Sequence, residues 1–216
     1  MNSATQLIQD GFIAINLSLD IEYLKNEFLE ILYNAKPNKV ADDRDSLVKI
    51  SEDERAFYYI NDIKETNLNE KLKKNLKDLE SFCSKLHQDI LSEIGKIEQR
   101  EEYFNKLNDA SRLSLIRAIF YPKTKENKEL TKMHQDKSLL SFVPLLKGEM
   151  ITFLRDGYKA VYTAKKNELL VFGGLTLKRC LNSGFEPSLH CVENNPKTHR
   201  IGLPLFYAPV PDFILN

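Results

Sequence analysis

The segment HQDKSLLSFVPLL, residues 134–146, opens with two metal-ligand side chains and runs straight into an apolar, strand-forming stretch. Successive side chains of a strand point to opposite faces, so residues two apart share a face. On an extended backbone His134 and Asp136 therefore present an imidazole and a carboxylate to the same interior. A second copy of the tripeptide stands at His87-Gln88-Asp89. The backbone separates the two copies. From Asn67 onward, Leu72, Leu76, Leu79, Cys83, Leu86, Ile90 and Ile94 recur at helical steps and form one apolar stripe. On such a helix, residues two apart lie about 200° apart around the axis. His87 and Asp89 cannot easily grip one ion and read as a solvated helix flank. A third ligand to pair with His134 and Asp136 is His190, which opens a later strand-like run. Two histidines and a carboxylate on one face leave three octahedral positions open, the pattern of non-haem iron(II) oxygenases. A zinc site with the same ligands, or a core histidine with its hydrogen bonds satisfied, stays open at this level.

Outward from this segment the C-terminal half breaks into short apolar runs over residues 113–121, 138–146, 150–154, 158–162, 168–172, 189–192 and 200–207. Pro122, Gly148, Asp156-Gly157, Gly173-Gly174, Gly184 and Asn195-Pro196 punctuate them. Regular short strands with turn signals predict an antiparallel sandwich or barrel. The N-terminal half begins with a strand over residues 11–17. A helix N-capped by Asp20 follows and ends near residues 34–37. Residues 38–56 read as a loop with a short helix or strand. The long helix after Asn67 is expected to pack against the chain's own sheet rather than in a coiled coil. The fold class is α+β with a mainly β core. Residues 1–110 are expected to be mostly helical and residues 111–216 to form the core. No Pro- or Gly-rich linker divides them, so 1–216 reads as one domain.

The chain has 216 residues, enough to bury a core without disulfides. Lys plus Arg and Asp plus Glu are both 31, and this balance gives no general reason to bind nucleic acid or an anionic membrane. Cys83, Cys180 and Cys191 are odd in number and lack C-x-x-C spacing, so free thiols in a reducing cytoplasm are expected. The N-terminus MNSATQLIQDGF has neither a basic n-region nor an apolar h-region, so no signal peptide is expected. No apolar run approaches a membrane span. A soluble, cytoplasmic protein is the expectation, and its oligomeric state is not legible.

Several blocks resemble the iron(II)- and 2-oxoglutarate-dependent oxygenases, in particular their isopenicillin N synthase-like branch. The resemblance covers roughly residues 114–209, with a weaker echo in GFIAINLSLDIEYLKNEF, residues 11–28. LIRAIFYP ends in Tyr121-Pro122 like the strand that precedes the family's metal strand. HQDKSLLSFVPLL matches the H-x-D strand, RDGYKAVY the following hairpin, and ELLVFGG the strand leading to Gly-Asp. LNSGFEPSLHCV matches the run that ends in the second histidine, and HRIGLPLFYAP matches the Arg-x-Ser strand. The resemblance implies a double-stranded β-helix, or jelly roll, with supporting N-terminal helices. It implies that His134, Asp136 and His190 bind Fe(II), and that Arg200 holds the distal carboxylate of 2-oxoglutarate. Tyr121 matches the tyrosine whose hydroxyl contacts the same cosubstrate. An arginine suits this role because its planar fork pairs bidentately with a carboxylate.

Three positions depart from the family pattern: Gly202 replaces a serine, Cys191 an arginine and Ile119 an asparagine. The resemblance implies a dioxygenase that consumes O2 and hydroxylates, or otherwise oxidises, a small metabolite. A peptide side chain is the second substrate class, and no nucleic-acid or membrane partner is expected. Asp136 argues against halogenation, because family halogenases give up this carboxylate. Competing readings are a non-oxygenase metal protein on the same fold and a binding protein with a vestigial site. Arg117, Arg155 and Arg179 are candidates for substrate contact, and His199 is expected to face away from Arg200 as a structural residue.

Overall fold

Strand β4 (Ser111–Tyr121) runs through the middle of the molecule and uses both of its faces. Ile116, Ala118 and Phe120 are buried among the helices. Leu115, Arg117, Ile119 and Tyr121 alternate with them and line a cavity on the other side. This two-sided use sets the layer order of the chain. The structure, a computed structural model, describes residues 3–34, 48–50, 55–123, 131–155, 157–182, 184–192 and 198–210.

Before β4 come α1 (Ser3–Asp10), β1 (Phe12–Asn16), α2 (Ile21–Tyr33), β2 (Val48–Ile50), β3 (Ala56–Ile60), α3 (Glu70–Ile97) and α4 (Glu101–Ala110). After it come β5 (Leu140–Leu145), β6 (Met150–Arg155), β7 (Tyr158–Thr163), β8 (Glu168–Gly173), α5 (Leu175–Cys180), β9 (Leu189–Val192), β10 (Arg200–Gly202) and β11 (Leu205–Pro209). The large antiparallel sheet has the order β1-β8-β5-β11-β4-β3-β2, with β10 also paired to β4. A small sheet, β7-β6-β9, faces it.

The apolar run of β8 is buried on both faces for a simple reason. Leu169 and Val171 pack toward the helices, while Leu170 and Phe172 enter the layer between the sheets. β5 divides in the same way, with Leu140 and Phe142 on the helical side and Val143 and Leu145 on the other. The result is the helix-backed, two-sheet β core expected from the strand pattern. Asp20 caps α2 through its side chain, accepting from the Tyr23 N–H at 3.0 Å. α3 lays Leu72, Leu76, Leu79, Cys83, Ile90 and Ile94 into the core behind the large sheet. No helix among the described residues is long and apolar enough to cross a membrane.

Several sequence expectations need correction. Within the N-terminal 110 residues, β2 lies in the stretch read as a loop with a short helix or strand, and β3, which runs beyond that stretch and is not expected from the sequence, joins it to the edge of the large sheet beside β4. The single run over 200–207 is two strands, β10 and β11, divided at Leu203-Pro204. Proline has no N–H for the ladder, and the Pro204 carbonyl instead accepts from the Arg117 N–H at 3.0 Å. His134 lies outside any regular strand, since β5 begins only at Leu140. Residues 35–37 of the expected helix end and residues 38–47 and 51–54 of the expected loop lie outside the described residues, as do Asp156, Asn195 and Pro196.

His87 is not a solvated flank. It is 2% exposed and stacks on Tyr207 with ring centroids 4.7 Å apart. Position 87 lies four after Cys83 and three before Ile90, so it falls on the centre of the buried stripe, while Leu86 is only partly buried. Neither ring nitrogen of His87 has a hydrogen-bond partner among the described residues. Burial pushes its pKa down to about 4 from 6.5. The unfolded chain then binds a proton that the folded chain refuses between pH 6.5 and pH 4. Stability is fully present above the higher value and is lost as pH falls through this window. At about 1.4 kcal/mol per pH unit, the loss reaches about 3 kcal/mol. Urea unfolding of wild type and His87→Leu at about pH 7, 5.5 and 4.5 is expected to show the variant gaining on wild type by this order as pH falls.

Candidate metal centre

His134 and His190 form an isolated antiparallel bridge. The His134 N–H donates to the His190 carbonyl at 3.0 Å, and the His190 N–H donates back at 2.9 Å. This exchange ties the segment before β5 to β9 of the opposite sheet and places both side chains on one side, with ring centroids 4.6 Å apart. Each Nδ1 lies within hydrogen-bond reach of a carbonyl two residues earlier, His134 to Lys132 at 2.9 Å and His190 to Ser188 at 3.0 Å. With Nδ1–H donating there, Nε2 carries the lone pair, which is the tautomer a metal requires. Both Nε2 atoms face Asp136, at 3.6 Å from its Oδ1 and 4.0 Å from its Oδ2.

One ligand atom from each of the three residues lies within 4.8 Å of the others. Bonds of roughly 2.1 Å at right angles put ligand atoms about 3 Å apart, so small side-chain rotations close the set on an ion. Burial lowers the His190 pKa, against the raising effect of Asp136, and keeps the ring neutral. Phe172 stacks on it at 4.4 Å and fixes its plane.

Asp136 is held by its neighbours' backbone. Its carbonyl accepts from the Leu175 N–H at 2.8 Å, and Gly174 N–H donates to the Leu139 carbonyl at 2.9 Å. A Cβ on Gly174 would stand 2.1 Å from the Ser138 carbonyl oxygen and 2.9 Å from that of Asp136. The glycine is what lets the start of α5 lie against the ligand segment.

The triad opens into a cavity of 760 Å³ that also takes in Arg200 and Tyr121, paired across β10 and β4. Arg200 is 6% exposed and donates from a terminal guanidinium nitrogen to the Met150 carbonyl at 2.7 Å. Its Nε lies 3.6 Å from Glu149 Oε1, and the other carboxylate oxygen of Glu149 is ion-paired with Lys25. Burial alone would raise the Glu149 carboxyl, but Lys25 and Arg200 outweigh it and hold the group below its usual range. Burial lowers the Lys25 ammonium, while Glu149 works to keep it charged. Burial pushes the Tyr121 phenol up to about 12, with Arg200, Arg55 and Arg117 acting against the rise. Its hydroxyl stays protonated and can donate. A Cβ at Gly202 would meet Tyr121 Cε2 at 3.1 Å, so the glycine lets the tyrosine ring lie close against β10.

Of the arginines singled out in the sequence, Arg117 lines this cavity. Arg179 is exposed on α5 and does not, and the side chain of Arg155 lies outside the described residues. His199 packs on Phe120 at 5.1 Å, away from the cavity, in the structural role expected. Sequence reasoning missed Lys25, Glu149 and Arg55. Lys25 and Glu149 stand 124 residues apart and carry no local signal. The only trace was a lysine on the apolar face of α2, between Leu24 and Phe28.

No protein-family model matches the sequence, and no curated protein matches it. Solved structures do. A full-length Neurospora crassa protein, solved in complex with alpha-KG, matches with a TM-score of 0.77 at 17% identity, over 96% of this chain and 78% of that one. JOX2, solved with 2OG, Fe and JA, matches at 0.75 and 16%, over 97% and 70%. The Arabidopsis thaliana dioxygenase for auxin oxidation 1, solved with 2-oxoglutarate, matches at 0.73 and 12%, over 99% and 91%. At these identities the likeness is one of fold: this chain has their helix-backed jelly roll.

Removing Glu149 leaves Lys25 and Arg200 as buried like charges, a loss of about 3 kcal/mol or more. Urea denaturation is expected to show this for Glu149→Gln, with only part of the stability recovered in the double variant Lys25→Met, Glu149→Gln, which removes one of the two stranded charges and leaves Arg200 unanswered.

Proposed function

We propose that the chain is a non-haem iron(II), 2-oxoglutarate-dependent oxygenase, acting as one domain over residues 1–216. The observation that carries this reading is the placement of His134, Asp136, His190 and Arg200 around one cavity. Two imidazoles and a carboxylate favour iron(II) with open positions over a closed structural zinc site, which takes four protein ligands. When bound, iron(II) supplies the coupling of dioxygen activation to oxidative decarboxylation of 2-oxoglutarate. The solved structures with the same fold that hold 2OG, and in one case Fe, support this choice.

The protein's own part is ligation, orientation and exclusion of water. Arg200, steadied by Glu149 and the Met150 carbonyl, offers its fork to the distal carboxylate of the cosubstrate. Tyr121 donates its hydroxyl from the same wall. Val143, Ile151, Phe172 and Val192 dry the space between Arg200 and the triad and strengthen each polar contact there. The buried Lys25–Glu149–Arg200 set carries one net positive charge when all three are ionised, which suits a dianionic cosubstrate already anchored at the metal. Hydroxylation of a small metabolite is the proposed outcome. The Neurospora crassa protein solved with thymine, and JOX2 solved with JA, make small molecules the natural class for this cavity. Cys83, Cys180 and Cys191 are buried and form no disulfide among the described residues, which fits a reducing cytoplasm.

Two measurements test this reading. Iron(II) stoichiometry is expected to fall to background in His134→Ala and Asp136→Ala and to stay at one per chain in Asp89→Ala, the matching position of the other His-Gln-Asp. Succinate release from 2-oxoglutarate by wild type is expected to require both iron(II) and oxygen. Unchanged iron content in the triad variants overturns the ligand assignment.

A further inference from the structure

We propose that the substrate is a small monocarboxylic acid with an apolar body, its carboxylate held by Arg117 with Arg55 beside it. This rests on the oxygenase reading above. Arg117 lies on the cavity face of β4, four residues before Tyr121. Its guanidinium sits between two rings, 5.3 Å from the centroid of Tyr59 and 5.4 Å from that of Phe206. Rings on both sides immobilise the fork and leave its edge as the direction for hydrogen bonds. Among the described residues its buried Nε has no hydrogen-bond partner. Arg55, one residue before β3, lines the same cavity.

Charge balance points the same way. Among the described residues, Asp136 is the only acidic side chain on the cavity wall. Iron(II), Asp136 and a 2-oxoglutarate dianion together carry one negative charge, and the Lys25–Glu149–Arg200 set carries one positive. These cancel, and the partly buried cations Arg117 and Arg55 give the rest of the cavity a positive character that suits an anionic substrate group. Lys132 and Lys137 also border the cavity but are less enclosed than Arg200. A planar carboxylate fits the edge of the clamped fork. Phe57, Leu115, Ile119 and Phe206 line the stretch near Arg117 and favour an apolar body.

The test begins with anaerobic, iron(II)-loaded chain titrated with 2-oxoglutarate and followed by its visible charge-transfer absorption, which reads the oxygenase assignment alone. Calorimetric titration of the same protein then compares phenylacetate and hexanoate with phenylacetamide, hexanamide and phenyl phosphate. The acids are expected to bind at least tenfold more tightly than the amides. Arg117→Gln is expected to lose at least tenfold in acid affinity without moving the 2-oxoglutarate titration, and Arg117→Lys to fall between. Arg112→Gln, on the exposed end of the same strand, is expected to match wild type. Melting curves show whether Arg117→Gln is folded, and Arg117→Lys carries the test if it is not. Equal affinity for acids and amides, no acid binding, or wild-type acid binding by Arg117→Gln overturns the proposal. Tighter binding of phenyl phosphate than of phenylacetate overturns the carboxylate assignment. Absent 2-oxoglutarate binding with acid selectivity intact overturns the oxygenase reading and leaves the Arg117 site standing.

Discussion

The two-way backbone hydrogen bond between His134 and His190 is the contact on which the candidate site depends. A hydrogen-bonded antiparallel pair points both side chains to the same side. One bridge therefore orients two candidate ligands at once and fastens the segment before β5 to the small sheet. Asp136 follows two residues later, and its carbonyl is gripped by the start of α5 through the gap that Gly174 leaves. The placement of the three candidate ligands thus rests on backbone contacts.

The second constraint is electrostatic. A buried guanidinium is tolerable only where its charge is answered. Arg200 meets Glu149, and Glu149 meets Lys25, which α2 delivers from the far side of the large sheet. A supporting helix thereby becomes part of the cavity chemistry. At Gly202 a β-carbon would stand 3.1 Å from the buried ring of Tyr121, so this wall of the cavity is closely packed. Strand β4 links these features, because its alternation sends Tyr121 and Arg117 into the cavity and Ile116, Ala118 and Phe120 into the helical core.

The β core, the long helix and the candidate ligands are legible in local sequence pattern. Alternation and helical periodicity are local properties, and the H-x-D spacing carries its meaning in any extended segment. Backbone geometry also separated two identical tripeptides, and it is His134 and Asp136 that the fold gathers with His190. The other copy is not the solvated flank that its polarity suggests. His87 is polar but stands on a buried stripe, and a polarity rule loses to helical phase when packing on both sides is apolar. Which distant charges meet is settled by the packing of the folded chain. Lys25, Glu149 and Arg200 come from three separated places in the chain, and Arg117 acquires its aromatic clamp from β3 and β11. Those encounters depend on strand order and register across the sheet, and no local pattern encodes them.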